Sequence, residues 1–91
     1  MGGVYLDQGT YGTTVGGTKP IQANFINNNG GDGLTIISSR QNKIVGNTIN
    51  TNAIGVYATG DCTGTVLSNN IVTNNTSTNY DTSTATNLIV R

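Results

Sequence analysis

The sequence predicts an all-β fold, a β-solenoid of about three coils with a period of about 22 residues. Two observations predict it. Apolar residues come in short bursts, clearest between Asn42 and Thr63: Ile44-Val45, Ile49, then Ile54 to Tyr57, with Gly and Asn breaking each burst. A helix would need apolar residues at i, i+3 and i+4, so the bursts read as three short strands joined by tight corners. The bursts also recur at a fixed shift. Ile44 maps onto Val66, Asn47 onto Asn69, Ile49 onto Ile71 and Asn52 onto Asn74 at a shift of 22, while Asn24 and Ile26 precede Asn47 and Ile49 by 23. Leucine-rich repeats have a similar period, but the only leucines are Leu6, Leu34, Leu67 and Leu88. Ile and Val dominate instead, and they favour pleated strands.

Each coil offers three strand positions. The first is Gly3–Leu6, Gly33–Ile36, Gly55–Ala58 and, more loosely, Asn87–Val90. Alternation points Val4, Leu6, Leu34, Ile36, Val56, Ala58, Leu88 and Val90 inward and Tyr5, Thr35, Tyr57 and Ile89 outward. The second is built on Ile44 and Val66, with either Val15 or Ile21 as the earlier member. The spacing from the first position favours Val15, which leaves residues 18–23 as a loop in which Pro20 is at ease. The third is Ile26, Ile49 and Ile71. Each is flanked by two asparagines: Asn24 and Asn29, Asn47 and Asn52, Asn69 and Asn74. Asn tolerates the left-handed backbone of a sharp corner, and stacked coils bring such amides into hydrogen-bonding columns about 4.7–4.8 Å apart. After Ile71 the rhythm breaks, so residues of about 73–86 are expected to loop out before a closing strand. Val45, Leu67, Val72 and Ile89 are expected to face outward. The whole, residues 1–91, reads as one domain, a fragment of a longer solenoid that could associate end to end or side by side.

Composition narrows the function. Four Lys and Arg balance four Asp and Glu, which argues against an electrostatic grip on nucleic acid or an anionic membrane. No apolar run is long enough to span a bilayer, and the first ten residues lack the basic and apolar regions of a signal peptide. The chain has no His and a single Cys62, so no disulfide, cofactor or metal site is expected. Asp32 in GGDG and Asp61 in TGDCTG read as turn residues. Neither forms an evident partner for the other, and glycoside hydrolysis normally needs two flanking carboxylates. No catalytic residue is expected in this chain. Four residues are candidates for contact with a sugar chain: Tyr5 and Tyr57 as outward aromatic faces, and Arg40 and Lys43 as corner cations that could meet an acidic sugar.

The segment NKIVGNTINTNAIGVYATG resembles the right-handed parallel β-helix repeat of pectate-lyase-like proteins, NosD-type periplasmic proteins and mannuronan C5-epimerases. TTVGGT followed by ANFINNNGGDGLTI resembles repeats of secreted or surface β-helix proteins of bacteria. The resemblance spans about Gly3 to Val90. It implies an extracellular or cell-surface, carbohydrate-facing setting, but the Asp-Pro-His motif of the epimerases and the clustered Asp of the pectate lyases have no counterpart in the chain. The expectation is a non-catalytic structural or glycan-contacting module. The alternative is a fragment of a polysaccharide lyase, C5-epimerase or glycoside hydrolase whose active residues lie elsewhere.

Overall fold

A computed structural model describes residues 2–91. The chain folds as a parallel β-helix. Eleven strands pair side by side in three parallel sheets. The first sheet holds β1 (Val4–Leu6), β4 (Asp32–Ile37), β7 (Ile54–Asp61) and β10 (Thr78–Thr86), in that order. The second holds β2 (Thr14–Gly16), β5 (Lys43–Val45), β8 (Val66–Ser68) and β11 (Ile89–Val90). The third holds β3 (Phe25–Asn27), β6 (Thr48–Asn50) and β9 (Ile71–Thr73). Three complete coils are followed by two strands of a fourth. The ambiguity in the first coil resolves in favour of Val15, which pairs with Ile44. Ile21 lies in a short 3-10 turn, Pro20–Gln22, and is 91% exposed.

The first two coils stack as the sequence predicts, and the third is displaced by one residue. Along the first sheet the shift is 22, with Leu34 beside Val56 and Ile37 beside Thr59. In the second sheet it is 23, with Lys43 beside Val66 and Ile44 beside Leu67. One residue has therefore been added between Thr59 and Val66. A one-residue slip sends every side chain of a strand to its other face. Leu67, not Val66, fills the interior below Ile44, and Val72, not Ile71, stacks on Ile49. Leu67 is fully buried and Val72 nearly so, whereas Ile71 is 60% exposed. The expected outward placement of Leu67 and Val72 and the inward placement of Ile71 are corrected together.

The same slip corrects the asparagine columns. The side chains that stack are Asn24, Asn47 and Asn70 in one column and Asn29, Asn52 and Asn75 in the other. Asn69 and Asn74 are their chain neighbours. They take the left-handed backbone of the corner, at φ 55 and 56, where the coil above has Gly46 at 71 and Thr51 at 57. Each corner thus uses two residues in sequence, one to turn and one to bond across coils. The bonding is dense. Asn52 Oδ1 accepts from the backbone N–H of Asn29 and from Asn29 Nδ2 at 3.1 and 2.9 Å, and Asn52 Nδ2 donates to Ile26 O and to Asn75 Oδ1 at 3.0 and 3.1 Å. Asn42, Asn47 and Asn52 are buried, yet none of their side-chain polar atoms lacks a partner. Such full pairing is what makes buried amides tolerable.

A third polar column precedes the second sheet. Asn42 Oδ1 accepts from the Thr13 backbone N–H at 2.8 Å, and Thr65 Oγ1 accepts from that of Asn42 at 3.3 Å. Thr65 Oγ1 in turn donates to Ser39 O at 2.8 Å. Between these corners the sheets share one apolar core, with Leu34, Ile36, Ile44, Ile49, Val56 and Leu67 fully enclosed.

The fourth coil departs further from expectation. Residues 73–86 are not a loop throughout. Thr78–Thr86 form β10, which continues the first sheet beside β7, with a bulge between Asp81 and Thr84. Its Thr, Ser and Asn residues gave no apolar signal. The strand is held instead by backbone pairing and by polar contacts such as Thr84 Oγ1 to Thr59 Oγ1 at 2.8 Å. Leu88–Val90 are then not a first-sheet strand. Ile89 and Val90 pair with Val66 and Leu67 in the second sheet, so Val90 continues the inward file of Ile44 and Leu67, and it is 46% exposed on the edge strand of that sheet. Asn79 of β10 also closes the second asparagine column. Its Oδ1 accepts from Asn75 Nδ2 and from the Asn75 backbone N–H at 3.0 and 3.3 Å, standing where an asparagine from a further coil would bond.

Candidate binding surface

The outward side of the first sheet carries the most concentrated chemistry. Parallel pairing sets Tyr5 beside Thr35, Thr35 beside Tyr57 and Tyr57 beside Asp81, one file across four strands. Neighbouring strands lie about 4.8 Å apart, so Tyr5 and Tyr57 stand about 9.6 Å apart with Thr35 between them. They border a shallow groove of about 410 Å³ that Val4, Asp32 and Ile37 also line. Tyr5 is 62% exposed, and Tyr57 is half-buried.

Asp32 reaches this groove through a local irregularity. Strict alternation would send Asp32 to the same side as Leu34. Gly33 breaks the alternation, because its position faces the interior tightly. A Cβ there would lie 2.6 Å from Asn52 Nδ2 and 2.8 Å from Gly55 O, so only glycine fits without displacing its neighbours. Asp32 therefore emerges on the outer side, where its Oδ2 accepts from Thr35 Oγ1 at 3.0 Å. Sequence reasoning placed Asp32 in a turn and missed it as part of this surface. The signal available was the recurrence of glycine at positions 3, 33 and 55.

Arg40 and Lys43 do not join the tyrosines. Arg40 sits in the corner between the first and second sheets, where its guanidinium lies 3.8 Å from Asp61, with both side chains more than half exposed. Lys43 opens β5 in the second sheet and points to solvent. Hydrogen bonds from the Thr63 hydroxyl and backbone N–H, aided by Arg40, hold the Asp61 carboxyl below the usual carboxylate range. Cys62 follows it in the chain but turns inward and is fully buried, and that burial pushes its thiol up. A raised thiol pKa leaves little nucleophilic thiolate.

The family model described as periplasmic copper-binding protein (NosD) matches residues 2–88. The chain belongs to the NosD family. No curated protein and no solved structure matches it. The NosD description names copper, and the donor set can be tested for it. Copper sites draw on thiolate, thioether and imidazole ligands. This NosD-family chain has no His, and its lone Cys62 is enclosed in the core with Sγ donating to Thr59 O. Among the described residues no three ligating side chains of His, Cys, Asp or Glu converge. The described residues do not fit a copper centre. Nor is any described helix long and apolar enough to cross a membrane.

Proposed function

We propose that this chain is a non-catalytic β-helix module of a periplasmic or surface-exposed protein and that the outer side of its first sheet contacts polysaccharide. The observation that carries the reading is the pair of tyrosines two strands apart across a groove floored by Thr35 and Ile37. Aromatic faces offer apolar area to the C–H faces of sugar rings, while each phenol hydroxyl offers a donor and an acceptor. The spacing set by two strands is about the length of a disaccharide, so a sugar chain would run along the solenoid axis and meet both rings. The family's periplasmic description supports an extracytoplasmic setting. Arg40 and Lys43 stand outside this contact because they lie on a corner and on another sheet.

The test is binding of the intact chain to immobilised polysaccharides of varied composition, alongside a Tyr5→Ala/Tyr57→Ala double variant. The reading expects retention on at least one polysaccharide and its loss in the double variant, with folding unchanged by circular dichroism. Retention that survives removal of both rings would place the contact elsewhere. Absence of any retention would remove glycan contact altogether.

A further inference from the structure

We infer that the groove between Tyr5 and Tyr57 takes uncharged sugar residues and turns away polyuronates. This rests on the glycan-contact reading above and adds the ligand's chemistry. Among the described residues Asp32 is the one charged side chain lining the groove. The file that contains the tyrosines continues to Asp81 beside Tyr57, so the next charge along the surface is also negative. Among the described residues no cationic side chain offsets either. Arg40 is turned to Asp61 in the corner after the first sheet, Lys43 belongs to the second sheet, and the Arg91 backbone N–H bonds Leu67 O in that same sheet. Lys19 lines a separate hollow with Pro20 and Gly46.

A carboxylate-bearing sugar chain laid along this file would set like charges side by side. A neutral chain meets the opposite situation. Asp32 uses one oxygen to accept from Thr35 Oγ1, and a carboxylate has capacity to accept several further hydrogen bonds. Sugar hydroxyls are donors of the right kind, and bonds to an ionised acceptor are stronger than neutral ones. The tyrosine rings supply stacking that is indifferent to charge, so the carboxylates decide between sugar classes. The preference assigned to the groove is thus opposite to the one that Arg40 and Lys43 would give their own corner.

The experiment is affinity electrophoresis of the intact chain in gels containing glucomannan or polygalacturonate, at low and at physiological salt, with Asp32→Asn and Tyr57→Ala variants checked for folding by circular dichroism. The expected result is retardation by glucomannan that changes little with salt, and none by polygalacturonate. Asp32→Asn should weaken the glucomannan interaction about tenfold, as loss of a charge-assisted bond does, and should allow some retardation by polygalacturonate. Tyr57→Ala should abolish retardation by glucomannan. Stronger retardation by polygalacturonate than by glucomannan, weakening as salt rises, would overturn this inference and leave glycan contact standing. Equal retardation by both would do the same. Retardation by neither would overturn both readings.

Discussion

On the inner side of the first sheet Leu34 stacks on Val56 and Ile36 on Ala58, each fully buried. On the outer side of the same strands Tyr5, Thr35, Tyr57 and Asp81 follow one another in the same register. The inner file is aliphatic through β1, β4 and β7 and reaches Tyr80 only in β10, whereas the outer file changes chemistry at every step. Packing explains the contrast. An interior position must match its neighbours above and below in volume, so substitutions there are felt strongly. An outer position is bounded by solvent and can take any residue that tolerates a strand. Fold information therefore lies in what the coils share, and binding chemistry lies in where they differ.

The largest effect should come from the interior amides. Asn52→Leu removes four hydrogen bonds, leaving Ile26 O and the Asn29 amide without their partners. A loss of about 2–4 kcal/mol is expected in denaturant unfolding. A loss below about 0.5 kcal/mol would mean that the column is ornamental. Gly33→Ala comes next. Its methyl group would press on Asn52 Nδ2 and on the backbone at Gly55, at an expected cost of about 1–3 kcal/mol. Asn79→Ala uncaps Asn75 at the exposed end of the same column and should cost about 0.5–1.5 kcal/mol. The ratio of the Asn52 and Asn79 effects sharpens the comparison, since the same bonding is being removed inside and at the edge.

Outer-side substitutions should scarcely move stability. Tyr5→Ala is expected to shift unfolding by no more than about 0.5 kcal/mol while weakening polysaccharide retention. The smallest effect is electrostatic. The Asp61 carboxyl titrates lower when folded than when unfolded, so its contribution is present above the ordinary carboxylate range and is lost as pH falls through the folded pKa. Asp61 lies on the surface, so a slight decline in thermal midpoint below about pH 4 is expected, shallower in Asp61→Asn than in the parent chain. An identical acid profile in both would remove Asp61 from the account.

Much of this architecture could be read from the sequence because the apolar bursts recur at a nearly fixed shift and are broken by Gly and Asn. Val15, Ile44, Ile26 and Ile49 fall where their spacing puts them. The third coil was harder because its corners read Asn69-Asn70 and Asn74-Asn75. In each pair the same residue type does two jobs, turning and bonding, and a shift of 22 fits as neatly as a shift of 23. The earlier coils held the clue, since Gly46 precedes Asn47 and a glycine marks the turning position. β10 was illegible for a different reason. It packs no aliphatic residue comparable to Leu34 or Val56, so alternation had nothing to register. At the binding surface the tyrosine pair was visible from alternation, but Asp32 was hidden because Gly33 interrupts that alternation.

Everything above depends on which of two adjacent residues in the third coil faces inward. Single-cysteine variants at Ile71 and Val72, made in the Cys62→Ser background, can be titrated with a thiol-reactive probe under native conditions. The account predicts rapid labelling at Ile71→Cys, which lies 60% exposed, and protection at Val72→Cys, which lies 8% exposed, until the chain is unfolded. Protection at position 71 with rapid labelling at position 72 would contradict it.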